Sequence, residues 1–377
     1  GALVHDPTVS TAVTAISGAG MSFDRRVLAV AIAALTAACG GESGTTVLNG
    51  AGATFPNIIY QQWIADYDSL TDGVQINYQS IGSGGGIQQF TAATTDFGAS
   101  DAPMSDDEIA AVQDNVLHIP TVLGAVVVTY NLPGVSDTLR LTPGALAGIF
   151  LGVISRWNDA RIASANPGVA LPARDIVVAH RSDGSGTSYI FTEYLSKVSD
   201  EWATQVGTGK AVAWPVGIGG KGNEGVSAAV NQTAGAIGYV ELGYAMINRM
   251  PVAAIENRAG HFIAPTLAAV TAAAAGAMET MGSDTDFRVS ITDPAGSDAY
   301  PIASFTWLLL RKDYTGEGEK ARALVRFVWW AETDGQSRTA ALGYAPLPAA
   351  MLPWIADRLE SITADGAAVW QRPADAS

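Results

Sequence analysis

Residues 176–187 run Ile-Val-Val-Ala-His-Arg-Ser-Asp-Gly-Ser-Gly-Thr. The apolar run Ile176 to Ala179 reads as a buried strand, and Gly184–Thr187 as the turn that follows it. Beyond the turn, Tyr189, Ile190, Tyr194, Leu195 and Val198 fall at helical spacing. The same succession appears twice upstream. Gly52-Ala-Thr54-Phe55 leads into a helix marked by Ile59, Trp63 and Tyr67, with Pro56 tolerated in its first turn. Val74, Ile76 and Tyr78 alternate as a strand that runs into Gly82-Ser83-Gly84, with a helix from Ile87 onward. Strand, glycine-rich turn and helix in that order indicate an α/β chain.

The remaining segments fit this class. Asp96 to Asp101 reads as a short strand with its turn, and Ser105 with Glu108 forms a capping box. Thr121–Tyr130 is a second buried strand and Pro301–Leu310 a late one. Ala268–Met278 is alanine-rich and helical, and Ala321–Ala331 is an amphipathic helix. No internal repeat or coiled coil is visible.

A length of 377 residues leaves room for two lobes, and 48% hydrophobic with 15% charged residues describes a folded chain with ample core. The 21 Lys and Arg against 36 Asp and Glu give a net charge of −15. Such a balance argues against nucleic acid or an anionic membrane surface as partner, and an anion site here has to rely on local donors. A single cysteine excludes a disulfide framework, and His5, His118, His180 and His261 have no metal-ligand spacing, so neither a metal nor another cofactor is expected.

The N-terminal part reads as an address. Residues 1–20 lack signal features and are set aside as an upstream extension. Met21 to Arg26 is a short basic segment, and Val27–Ala38 is apolar but well short of the ~20 residues that span a bilayer, so 21–38 reads as a signal peptide. Small residues before Cys39 resemble a lipoprotein signal, although Thr36 stands where leucine is usual. Lipidation of Cys39 and plain cleavage near Ala38 are the two outcomes, with residues 39–46 as a polar tether and a lipid chain as the membrane contact in the first.

The three glycine-rich turns carry the chemistry. Each sets backbone N–H groups and a hydroxyl at a helix start, where unpaired amides and the helix dipole favour an anion. Arg181 adds a guanidinium fork suited to a tetrahedral oxyanion, with Asp183 close enough to orient it. Asp101 is the odd member, because a carboxylate repels an anion unless the anion has a proton to give. A serine hydrolase using Ser83 or Ser185 is the rival from another class, but neither lies in Gly-x-Ser-x-Gly.

Gly52-Ala-Thr-Phe-Pro56, Ile81-Gly-Ser-Gly-Gly-Gly86, Asp96-Phe-Gly-Ala-Ser-Asp-Ala-Pro103 and Asp183-Gly-Ser-Gly-Thr-Ser188 together resemble the phosphate-binding protein family of the phosphate ABC transporter. So do Arg156-Trp-Asn-Asp159, Asn166-Pro-Gly168, Gly219-Gly-Lys-Gly-Asn223 and Gly235-Ala-Ile-Gly-Tyr-Val-Glu241. The resemblance runs from about Val47 to the C-terminus. It implies a two-lobed periplasmic-binding-protein fold, with two crossing strands near Thr121–Gly124 and Ala299–Phe305 and the ligand in the cleft. Lobe one would comprise 47–122 and 303–377, and lobe two 123–302. Inorganic phosphate would be held by Thr54, Phe55, Ser83, Asp101, Arg181, Ser185, Gly186 and Thr187, with Asp183 behind Arg181. A monomer that passes phosphate to a membrane permease is implied, outside the cytoplasm and without catalysis. Sulfate or molybdate is the alternative ligand. His180 departs from the family pattern, which has a second basic residue there.

Overall fold

The computed structural model describes residues 44–113 and 115–374. The upstream extension, the signal segment and Cys39 lie outside the described residues. Among the described residues, eight strands form one curled sheet: β1 (Thr46–Gly52), β2 (Val74–Ser80), β3 (Phe97–Ser100), β4 (Leu117–Tyr130), β5 (Val177–Arg181), β6 (Ile218–Gly220), β7 (Ala236–Glu241) and β8 (Ala303–Leu310). Their order is β2-β1-β3-β8-β4-β7-β5-β6. β1 lies between two parallel neighbours, β2 and β3, and β5 likewise lies between β7 and β6. Antiparallel β8 and β4 join the two parallel groups. Helices α1 (Asn57–Leu70), α2 (Ser83–Thr91), α3 (Gly186–Val198), α4 (Gly222–Gln232) and α5 (Leu242–Ile247) begin at or within a few residues of the ends of β1, β2, β5, β6 and β7. In such sheets the carboxyl ends of parallel strands are where ligands collect.

β4 spans the two groups of strands. Its residues up to Ala125 pair with β8, and from Val126 to Tyr130 it pairs with β7. The sequence pattern placed its start at Thr121, whereas the strand begins at Leu117 and passes through Pro120. A proline lacks the N–H for a ladder and is tolerated inside a sheet at an irregularity. The register with β8 does shift there: Thr306 faces Val122, and Trp307 faces Pro120.

Other expectations need only adjustment at their ends. The helix expected from Ile87 begins at Ser83, so the glycine run is its first turn and not a preceding loop. Thr46, assigned to the tether, already pairs with Val74. The Ser105–Glu108 capping box is complete, with both reciprocal bonds formed. Aromatic side chains fill the core: Trp63, Trp157, Trp202 and Trp307 are among the largest fully buried side chains. Burial of each such side chain favours folding by at least ~2 kcal/mol.

α2 owes its place to glycine. A Cβ at Gly86 would lie 2.4 Å from the Cα of Gly52 and 2.7 Å from the carbonyl oxygen of Ala99. Those are backbone atoms that cannot swing aside. Gly86→Ala is expected to lower stability in urea unfolding by ~1–3 kcal/mol. Gly276→Ala, in an exposed helical position with nothing within 4 Å, is expected to raise it by up to ~1 kcal/mol. Equal effects at both positions would refute the packing assigned to α2.

Candidate functional site

The turn after β1 is held from behind by its carbonyls. The Tyr78 hydroxyl donates to the Ala53 carbonyl (2.6 Å), Tyr244 to that of Thr54 (2.7 Å) and Tyr344 to that of Phe55 (2.7 Å). Burial pushes all three phenols well above the usual range, so they stay protonated donors. Thr54 and Phe55 are buried, and their own N–H groups donate to no protein acceptor among the described residues.

The turn after β5 is organised by Arg181. Its Nε and Nη2 donate to the two oxygens of Asp183 (2.8 and 2.5 Å), and Nη1 reaches the Thr187 hydroxyl (3.2 Å). Asp183 also accepts the Gly222 amide (3.0 Å). Burial raises the Asp183 pKa, but the bonds and charge of Arg181 and the Gly222 amide outweigh it and hold the carboxylate below its ordinary range. Ser185 caps α3, its hydroxyl accepting the Ser188 amide (3.0 Å). His180 stacks on Trp214 with ring centroids 4.9 Å apart, and its Nδ1 lies against the Arg181 carbonyl.

Asp101 links the start of α2, after β2, to β8. Its Oδ1 accepts from Thr306 (2.8 Å) and its Oδ2 from Ser83 (3.3 Å). The Ser83 oxygen in turn accepts the amides of Asp101 and Gly186, each at 3.1 Å. A Cβ on Gly186 would lie 2.4 Å from that oxygen and 2.7 Å from Asp101 Oδ2, so the chain approaches this closely only as glycine. Burial pushes the Asp101 pKa to about 7, although Thr306, the Arg181 charge and Ser83 pull it down.

Thr54, Ser83, Asp101, Arg181, Ser185, Gly186 and Thr187 are thus brought together, all buried, with Phe55 in the same turn as Thr54. Sequence reasoning missed Asn223. Its Nδ2 donates to the hydroxyls of Thr54 (2.8 Å) and Thr187 (3.3 Å), tying the two turns, while its Oδ1 accepts the Glu241 amide. The signal was present, because Gly219-Gly-Lys-Gly-Asn223 is a fourth glycine-rich strand-to-helix turn. Thr306 and the three tyrosines had no local signal.

A family model described as the PBP superfamily domain matches residues 40–332. The phosphate-binding protein PstS of Xylella fastidiosa (strain 9a5c) is 47% identical over 302 residues, 80% of this chain and 81% of that protein. The chain belongs to the PstS phosphate-binding protein family. The PstS of Pasteurella multocida (strain Pm70) is 43% identical over 327 residues, 86% of this chain and 93% of its own length. Among solved structures, PfluDING, a high affinity periplasmic phosphate-binding protein bound with phosphate, superposes with a TM-score of 0.66 at 21% identity over 87% of this chain and 100% of that one. A phosphate-binding protein from Stenotrophomonas maltophilia gives 0.65 at 19% over 87% and 100%. At these identities the two structures establish the two-lobed fold.

The raised Asp101 pKa has a thermodynamic consequence. The folded PstS family member keeps this proton to about pH 7, while an unfolded aspartate releases it near 3.8. The folded chain therefore binds the extra proton between those values, and its stability falls as pH rises through them, levelling above about 7. A shift of that size amounts to ~4 kcal/mol. Asp101→Asn is expected to remove this part of the slope in urea unfolding between pH 4 and 7. An unaltered slope would show that Asp101 ionises normally in the fold.

Proposed function

We propose that this chain binds inorganic phosphate between its two lobes and delivers it to the permease of an ABC importer. The observation that carries this reading is a buried carboxylate, Asp101, set among neutral donors and one guanidinium. The amides of Thr54 and Phe55, the hydroxyls of Thr54, Ser83 and Thr187, the Ser185, Gly186 and Thr187 segment at the start of α3, and Arg181 would surround the anion. Asp183 would keep the guanidinium in plane. Hydrogen bonds to a charged group contribute about 1.5–3 kcal/mol each, so several converging on one phosphate give tight binding. Phosphate at neutral pH still has an O–H to offer Asp101, and sulfate has none.

Lobe one is assigned to 47–122 and 303–377 and lobe two to 123–302, a division supported by the change of partner along β4. On that division the Ser83–Gly186, Thr54–Asn223, Thr54–Tyr244 and Glu108–Lys210 contacts all cross between lobes. Ligand binding and closure are then one event. The chain acts as a monomer outside the cytoplasm, tethered through lipidated Cys39, and carries no catalytic activity. No described helix is long and apolar enough to cross a membrane. Ser185 is engaged as a helix cap and Ser83 by two amides, which supports binding over nucleophilic chemistry.

Calorimetry at pH 8 is expected to show phosphate binding with no measurable competition from sulfate; comparable affinities would overturn the reading. Sites built on one such hydrogen bond reject an analogue lacking it by ~10⁴-fold. The discrimination is expected to narrow below about pH 7, where Asp101 itself holds a proton and can donate to sulfate. Arg181→Ala is expected to weaken phosphate binding about a hundredfold or more, since it also leaves Asp183 without its partner. An unchanged dissociation constant would place the site elsewhere.

A further inference from the structure

Three consecutive carbonyls, those of Ala53, Thr54 and Phe55, each receive a tyrosine hydroxyl, from Tyr78, Tyr244 and Tyr344. These phenols come from β2, α5 and the segment near the C-terminus, so the arrangement is not a product of local sequence. A peptide unit is planar, with its C=O and the following N–H on opposite sides. Fixing the Ala53 carbonyl therefore fixes the direction of the Thr54 N–H, and fixing the Thr54 carbonyl does the same for the Phe55 N–H. A hydrogen bond accepted by the carbonyl also polarises the N–H of the same unit and makes it a stronger donor. Those two N–H groups are the ones without a protein acceptor among the described residues. The Ala53 amide, by contrast, is already bonded to the Ala99 carbonyl.

We infer that Tyr78 and Tyr244 are positioning residues for the anion, aiming and polarising the Thr54 and Phe55 amides from behind. The inference rests on the phosphate reading given above and deepens it. Tyr344 provides an internal contrast. The carbonyl it holds belongs to the peptide unit between Phe55 and Pro56, and proline has no N–H to polarise. A purely structural role predicts affinity losses that do not separate Tyr78 and Tyr244 from Tyr344, because each removal takes a donor from a buried carbonyl; that of Thr54 keeps the Asn57 amide (3.2 Å), and Tyr344 also serves Glu241 Oε2 (3.1 Å). A positioning role predicts that two of them govern affinity and the third does not. The Tyr244 hydroxyl lies 2.7 Å from the Thr54 carbonyl and 2.9 Å from Glu224 Oε1.

The test uses the full chain and its Tyr78→Phe, Tyr244→Phe and Tyr344→Phe variants. Phosphate affinity is measured by calorimetry, stability without phosphate by urea unfolding, and the Thr54 and Phe55 amide resonances by NMR. Tyr78→Phe and Tyr244→Phe are each expected to weaken phosphate binding about tenfold, and Tyr344→Phe less than threefold, whatever the stability changes. The Thr54 amide proton should move upfield in Tyr78→Phe and that of Phe55 in Tyr244→Phe. Equal affinity losses in all three, or amide shifts that do not follow this pairing, overturn the inference. Should Tyr78→Phe fail to fold, the contrast between Tyr244→Phe and Tyr344→Phe decides alone. A parent chain that binds no phosphate sinks the functional reading itself, whereas a binding parent with an unaffected Tyr244→Phe sinks this inference only.

Discussion

The pair formed by buried Arg181 and half-buried Asp183 is the contact around which the site is assembled. Both edges of the carboxylate are occupied by the guanidinium, and one oxygen also takes the Gly222 amide. Its other oxygen lies where a Cβ on Gly82 would sit, 2.4 Å away, so the turn after β2 presses directly onto it. Three turns from distant parts of the chain thus meet at one ion pair. Removing either partner from such a pair strands a buried charge, which costs far more than the pair contributes to stability. Its value lies in geometry: the guanidinium cannot rotate, and Nη1 is left facing Thr187.

With Arg181 already balanced by Asp183, an anion bound at the proposed site would be met mainly by dipoles. That suits a chain whose net charge is −15, because no long-range positive field draws an anion in. Amides at the starts of α1, α2 and α3 and hydroxyls from Thr54, Ser83 and Thr187 would supply the partial charges on the proposed reading. Glycine at 82, 84, 184 and 186 is what allows backbones from the two parallel groups of strands to approach so closely; a Cβ on Gly84 would lie 3.1 Å from the Cα of Gly184. The low dielectric around such donors strengthens each one.

Much of this was legible along the chain because it is local. The Ser105–Glu108 box, the turn from Arg181 to Thr187 and the turn from Gly52 to Phe55 each lie within a few residues, where spacing alone fixes which groups meet. Element ends were less legible where a residue has two uses. Pro120 reads as a strand breaker but sits at a sheet irregularity, and the glycine run after Gly82 reads as a loop but forms the first turn of α2. The point along β4 where it changes partner left no mark in composition, because the strand is buried on both sides of it.

By itself the sequence determined the class of fold and pointed to the turns that offer amides and to Arg181, Asp101 and Asp183 as the charged members of the proposed site, since these follow from periodicity and from residue chemistry at short range. Tertiary structure alone decided what stands behind those groups. Thr54 meets Asn223 169 residues on and Tyr244 190 residues on, Asp101 meets Thr306 205 residues on, and Phe55 meets Tyr344 289 residues on. No periodicity links positions so far apart. Their pairing is set by which strands lie side by side and by the need of each buried carbonyl and carboxylate for a donor, and that need can be met only once the sheet has formed.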